Sequence, residues 1–313
     1  MATFNGARFV EQQIRSVISQ DRPPDELLVA DDRSDDGTTA LLQQLLADAP
    51  FPWRLGVNAA RLGPVRNFAT LFEQANGDLI VPCDQDDWWA PSKLRHIVAH
   101  MAAHDCDVAV HDAHIVGDDG RRLRGTLWSR VPFPPAERRS VADGGGLAVL
   151  LRHNVVTGAA MAFRRPLLER LDPFPGAGMH DYTLALAASV AGGICVLDEP
   201  LGAYRVHTAN TAGLPSRRNL TALRHRNGDV ARLAAEHLVQ VVDRLDGAGL
   251  LAWDQRAAMQ ARIDFLRRRA SLPERTMDRA LVVRREWVQR DGYRRFARGL
   301  RSAALDVIVG PGR

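Results

Sequence analysis

Within the first 104 residues of this 313-residue chain, apolar runs of strand length alternate with apolar stripes at helical spacing. Strand character falls at 26–30, 53–57 and 78–83. Val10, Ile14, Val17 and Ile18 mark a helix ahead of the first run, which Pro23-Pro24 stops, and Leu41, Leu42, Leu45 and Leu46 mark the next; helices over 64–75 and 91–104 follow. Strands separated by helices pair in parallel, and ligands of such sheets sit beyond the carboxyl ends of the strands. The pattern therefore predicts an α/β fold with its chemistry on loops along one edge.

Two of those strand ends are crowded with carboxylates. One reads Asp31-Asp32-Arg33-Ser34-Asp35-Asp36-Gly37-Thr38; the other reads Asp84-Gln85-Asp86-Asp87, followed by Trp88, Trp89 and the helix-opening Pro91. Three acids within four positions repel one another unless a cation sits among them. Asp84 and Asp86, two residues apart, can aim oxygens at one hard divalent ion, Mg²⁺ or Mn²⁺, which would then hold a diphosphate. The plainer alternative is an acidic turn in which Asp87 caps the next helix, and at the first site an Asx turn with Asp35 or Asp36 as cap.

A hydrophobic content of 46% suffices for one large domain and an appendage. Of the 41 basic residues only Lys93 is a lysine, a bias first read as codon usage. Residues 217–313 hold 21 arginines against 11 acids, a net of +10 that leaves −6 for the rest. An acidic, metal-binding part followed by a basic surface that meets something anionic is the implied layout. Cys83, Cys106 and Cys195 are far apart with no metal-ligand spacing and are expected to be reduced core residues of a cytoplasmic protein. No apolar stretch approaches the roughly 20 residues that cross a bilayer, so a soluble or peripheral protein is expected.

The opening residues, Met1 to Phe9, form a polar turn without the apolar strand that belongs ahead of it, so the first strand of the sheet is expected to be missing. Further on, strands are predicted at 107–111, 155–164 and 193–197, with an extended piece over 200–207. Residues 124–150, rich in proline and glycine, read as a mobile lid-like loop. A helix begins at His180-Asp181, a polar linker covers 213–219, and four helices follow over 220–245, 253–270, 273–290 and 293–309.

Together, Ala2-Thr3-Phe4-Asn5-Gly6, Val29 to Thr38, Asp84-Gln85-Asp86-Asp87 and His180-Asp181 resemble, in order and spacing, the family 2 glycosyltransferases of the GT-A fold over residues 1–211. The resemblance is nearest to bacterial rhamnosyltransferase-type enzymes of surface polysaccharide assembly, through Tyr204-Arg205-Val206-His207 and Asn210-Thr211. It implies a GT-A catalytic domain over 1–211 and a basic helical extension over 212–313. It implies a nucleoside-diphosphate sugar donor, dTDP- or UDP-linked, and a glycan or lipid-linked acceptor. Thr3, Phe4 and Asn5 would border the nucleotide, Asp32 would accept a hydrogen bond from the base, and Arg66 would approach the diphosphate. Asp84 and Asp86 would serve metal and ribose, with His207 as a third ligand, and Asp181 would be the general base of an inverting displacement. His180 stands where many relatives have Glu, which leaves its part in acceptor binding open; Trp88 and Arg205 are further accessory candidates.

For several of these a structural role competes: a solvated surface arginine for Arg66, a packed imidazole for His207, core filling for Trp88 or Trp89. The basic helix over 293–309, with Phe296, Leu300, Ala303, Ala304, Val307 and Ile308 to one side, suits either an anionic membrane at the inner face of the plasma membrane or packing on the catalytic domain. Nucleic acid is not expected, since no recognition motif accompanies the arginines. A nucleotidyltransferase would want a glycine- and lysine-rich phosphate loop near its start, which this chain lacks, and a non-catalytic nucleotide-sugar-binding protein would be signalled by loss of Asp86 or Asp181, both of which are present.

Overall fold

The computed structural model describes residues 1–172, 174, 178–207 and 220–309, with the side chains of 220–227 and 309 set aside. The predicted alternation builds a small parallel sheet. β1 (Ala2–Thr3) and β3 (Trp53–Val57) flank β2 (Leu27–Asp31), with Ala2 opposite Ala30 and Thr3 opposite Asp31. The first strand, expected to be missing, is thus present as two residues. α1 (Val10–Ile18) and α2 (Thr38–Leu46) bury Val10, Ile14, Val17, Leu42 and Leu46 against Leu27 and Val29. The apolar spacing that predicted these helices is the face they bury.

A second, mixed sheet runs in the order β4 (Leu79–Ile80), β8 (Met161–Arg164), β6 (Val108–Val116), β9 (Ile194–Arg205) and β5 (Trp88–Trp89). β6 and β9 are parallel, and β7 (Arg122–Thr126) hairpins onto β6. The two predicted pieces at 193–197 and 200–207 are one strand, β9, whose register slips between His111 and His114 of its partner. An Ala2–Asp84 bridge ties the sheets together, so both acidic loops open on one side. Helices α3 (Pro64–Gln74) and α4 (Lys93–His104) follow β3 and β5.

The stretch at 124–150 is not a loop. It carries α5 (Leu127–Arg130), α6 (Pro135–Ser140) and α7 (Gly146–Arg152), and its apolar residues Leu127, Trp128, Phe133, Val141 and Leu150 are buried. Pro135 misled because it stands in the first turn of α6, where no N–H partner is lost. Residues 158–160 form a 3₁₀ turn, which shortens the predicted strand over 155–164 to β8.

The cysteine expectation also fails. Cys106, ahead of β6, and Cys195, on β9, are joined by a disulfide with their Cα atoms 5.8 Å apart, and Cys83 alone is a free, buried thiol. Parallel pairing of β6 with β9 brings together residues 89 apart in sequence, a neighbourhood no local spacing reveals.

After α8 (Pro166–Glu169) comes α9 (His180–Ala191), buried on nearly every face over Thr183 to Ala188. The extension supplies the cover: α10 (Leu220–Gly247) and α11 (Trp253–Ala270) pack on each other, and Leu238, Val241, Met259 and Phe265 share one apolar cluster with Leu184, Leu186 and Phe163. α12 (Thr276–Arg285) runs on through a wide π turn to Arg290. The last predicted helix is two, α13 (Gly292–Phe296) and α14 (Leu300–Val309), divided where Gly299 takes φ +57°. Its apolar side is therefore split: Phe296 and Ala303 are buried while Leu300, Ala304 and Ile308 face solvent. The predicted linker at 213–219, and Asn210 and Thr211, lie outside the described residues.

Candidate active site

The turn after β1 is stitched to the acidic loop by an amide pair: Phe4 N–H donates to Gln85 Oε1 and Gln85 Nε2 donates to Phe4 C=O, both at 2.9 Å. Asn5 sits at φ +46°, a left-handed position asparagine tolerates, and its Oδ1 accepts from Asp35 N–H. Thr3 Oγ1 donates to Asp31 Oδ2 at 2.8 Å, and Ser34 donates to the same carboxylate, so Asp31 pins the loop. The guanidinium of Arg61 lies 3.7 Å from the centre of the Phe4 ring.

Asp32 accepts from Leu62 N–H (2.7 Å), Gly63 N–H (2.8 Å) and Asn58 Nδ2 (3.0 Å). Burial opposes its charge, yet these three donors hold its carboxyl below the usual range. A carboxylate has about four acceptor positions, so one remains for a base N–H. Arg66 is exposed on α3, and its guanidinium makes no hydrogen bond or ion pair among the described residues; its neighbour Asn67 is the buried one, bonded to Ala30 C=O.

Asp84 stands within electrostatic reach of both Asp86 and Asp181. Burial raises the Asp84 carboxyl to about 7, and the charges of Asp86 and Asp181 push the same way. Asp87 is held well above the usual range by burial and by Asp86 and Asp84, although Arg205 N–H donates to it at 2.8 Å. His207 Nε2 lies 2.7 Å from Asp86 Oδ2, and the ring rests on Phe9. Arg205 is a clamp: its guanidinium reaches Asp86 C=O, Asp118 C=O and Gln12 Oε1 and lies over the Trp88 ring. Trp89 is core and Trp88 half-buried.

Asp181 stands in the first turn of α9, its carboxylate accepting from Tyr182 N–H at 2.6 Å and Gly158 N–H at 3.1 Å. Burial raises it to about 6 against those two bonds. His180 turns the other way: its ring packs 4.4 Å from Phe68 with both nitrogens unpartnered, and burial lowers it to about 4. A methyl on Gly158 would meet His180 Nε2 at 2.6 Å, so glycine is what lets the turn come this close to the His180 ring. His180 therefore belongs to an aromatic box behind Asp181, which does not favour an acceptor contact.

Residues that sequence reasoning did not single out complete the crevice. Lys93, fully buried, donates to Ala159 C=O at 3.0 Å and sits 4.5 Å from the Trp89 ring; burial lowers it to about 8 although Cys83, Asp87 and Asp84 favour its charge. Its being the sole lysine was the available signal. Tyr204 lies among the acids, its phenol pushed above the tyrosine range by burial and by Asp87, Asp84, Asp86 and Asp181. Gln85, central to the acidic motif, gave no hint that it pairs with Phe4. A cavity of about 440 Å³ lies elsewhere, beneath Met1 between Leu27-Leu28 and the 79–83 stretch; its walls are mainly apolar and it is not the carboxylate site.

An acid-lined crevice at the carboxyl ends of a split α/β sheet defines a class, and solved structures carry the same fold. TarS of S. aureus superposes with a TM-score of 0.59 over 99% of this chain and 87% of that one, at 15% identity. The mannosyltransferase PcManGT of Pyrobaculum calidifontis, solved with GDP-Man and Mn²⁺, gives 0.55 over 92% and 74%, at 20% identity. The fold is GT-A. The chain belongs to glycosyl transferase family 2, whose family model matches residues 1–171. Among curated relatives, the succinoglycan biosynthesis protein ExoO of Rhizobium meliloti is 30% identical over 66% of this chain and 59% of its own length. The dTDP-rhamnosyl transferase RfbG of Shigella flexneri is 22% identical over 68% and 73%. The matched stretch spans 57–64% of the length of the first relatives found.

Proposed function

We propose that the protein is an inverting glycosyltransferase that moves a sugar from a nucleoside-diphosphate donor to a hydroxyl of a glycan or lipid-linked acceptor in surface polysaccharide synthesis. The observation that carries this reading is that Asp84 feels the charges of both Asp86 and Asp181, and that the Asp181 carboxyl is itself raised to about 6 by burial. A base of that strength is ionised at neutral pH and still basic enough to take a hydroxyl proton in the transition state. The acceptor oxygen attacks the anomeric carbon as its proton passes to Asp181. The bond to the diphosphate breaks on the opposite face, and the nucleoside diphosphate leaves with the electron pair. Kinship with RfbG makes a dTDP-linked rhamnose the first donor to try, with UDP-linked sugars next.

The residues fit a divalent cation. Burial, with the charge of Asp86 beside it, raises the Asp84 carboxyl, a site that a cation would relieve, and His207 brings a ring nitrogen to Asp86. Among the described residues no three such side chains are already gathered round one point, which leaves coordination to be completed by the donor. Mg²⁺ or Mn²⁺ held there would neutralise the departing diphosphate. Thr3, Phe4, Asn5 and Asp32 would border the nucleotide; Arg66, extended into solvent, would need to swing inward. Among the described residues no helix is long and apolar enough to cross a membrane, and a lipid-linked acceptor would be met at the inner membrane face.

The test is a panel of nucleotide sugars with Mn²⁺ or Mg²⁺, following nucleoside diphosphate release by the wild type, Asp181→Asn and Asp86→Ala. Metal-dependent release from one donor that both variants lose supports the assignment. Release undiminished in Asp181→Asn overturns it.

A further inference from the structure

We propose that the outer face of α12 to α14 docks on an anionic lipid bilayer, a reading that deepens the one above by giving the membrane-side partner a defined surface. The inner face of α12 is set by Arg279 and Val283, both buried; the Arg279 guanidinium donates to Val307 C=O near the end of α14. At 100° per residue, Met277 and Leu281 fall on the side of α12 opposite Arg279, and Val288 is exposed in the π turn that follows. They are 81%, 63% and 70% exposed. On α14, Leu300, Leu305 and Ile308 face outward as well, around Arg301. Large apolar side chains exposed in this number on two packed helices mark a surface that meets something apolar.

The charge on this face identifies what it meets. The buried acids of the extension are taken by arginines from α11: Glu286 by Arg268, and Asp306 by Arg269. Arg284, Arg285, Arg295, Arg298 and Arg301 are exposed, and among the described residues none has an ion-pair partner. Apolar side chains spaced among unpaired cations match a bilayer of anionic headgroups over an acyl interior. A second copy is a poor occupant, since a two-fold contact would set arginine against arginine.

The test uses the full chain, without donor, in co-sedimentation with vesicles of phosphatidylcholine alone or with about one-third phosphatidylglycerol. Two variants are compared, Arg295→Gln/Arg298→Gln/Arg301→Gln and Leu281→Ser/Ile308→Ser, with nucleoside diphosphate release in solution measured alongside. All five positions are exposed, and thermal melts check that the variants fold. Binding at least tenfold tighter to the anionic vesicles is expected. The arginine variant should lose about fivefold per residue and the apolar variant about tenfold, with release in solution unchanged. Equal affinity for neutral vesicles, no binding, or binding indifferent to both variants overturns the proposal. So does a concentration-dependent dimer, without lipid, that either variant dissolves. Vesicle binding without donor turnover would count against the transferase reading alone, and turnover without vesicle binding against this surface alone.

Discussion

The crevice and the helical extension bury acids in opposite ways. In the extension, Glu286 takes both arms of Arg268, each at 2.9 Å, and Asp306 takes both arms of Arg269 at 2.6 and 2.7 Å with Tyr293 Oη donating as a third bond. In the crevice, Asp87 and Asp181 are answered by backbone N–H groups, and Asp84 only by the more distant charges of the Met1 ammonium and of Lys93, which is spent on Ala159 C=O. The same chain, rich in arginine, neutralises carboxylates completely where they hold helices together. Where it leaves like charges facing each other, the missing counter-charge must come from outside, as cation or proton.

The sharpest way to break this contrast is Asp181→Asn. Activity should fall by about a thousandfold, while the melting temperature should stay level or rise, because one buried charge is gone; a large loss of stability would place Asp181 with the structural acids. In the extension the effects should reverse. Arg269→Met leaves Asp306 buried without its cation, a change of about 3 kcal/mol in stability, read as a lowered Tm, with kcat of the folded fraction kept. A Tm unmoved by this change would mean the pair is idle.

His237 on α10 joins the two regions. It is buried, its Nε2 lies 2.7 Å from Thr183 Oγ1, and a Cβ on Gly178 would meet its ring at 2.4 Å, so it buttresses the turn of α9 that carries Asp181. His237→Ala should lower kcat about tenfold with donor KM unchanged, an outcome that separates positioning of the base from stability alone.

The smallest effect is in pH. Asp181 and Asp84 are raised to about 6 and about 7 from 3.8, so both favour folding most when protonated. Their contribution is complete below about pH 4 and is lost as pH rises through 6 to 7. Thermal melts of metal-free protein should therefore gain from these groups on acidification from pH 7 to 5, while activity falls over the same window as the base takes up its proton. Asp84→Asn should flatten the first trend; melts that do not respond would mean that these carboxyls are well hydrated and not buried.

Much of the crevice was legible because it sits on local signals. Strand runs ending in Asp31-Asp32 and Asp84 to Asp87, and Asp181 at a helix start, mark loops on one edge of a parallel sheet, and the family model and fold relatives agree on the framework. His180 was legible only as a neighbour of Asp181; its direction depends on Phe68, over a hundred residues away in sequence. The proline- and glycine-rich stretch at 124–150 failed for a related reason. Trp128, Phe133 and Leu150 find buried places only against strands from elsewhere, and that burial outweighs weak local propensity.

Periodicity and clustered charge, which act between near neighbours, determined the α/β alternation, the acidic strand ends, the start of α9 at His180-Asp181 and the basic helices of the tail. Tertiary structure alone decided that Lys93 reaches Ala159, 66 residues on, that Cys106 meets Cys195 across 89, and that His237 backs Thr183 across 54. Such contacts are stable only once the sheets and helices have closed, because the burial that makes them favourable belongs to the packed whole and to no single segment.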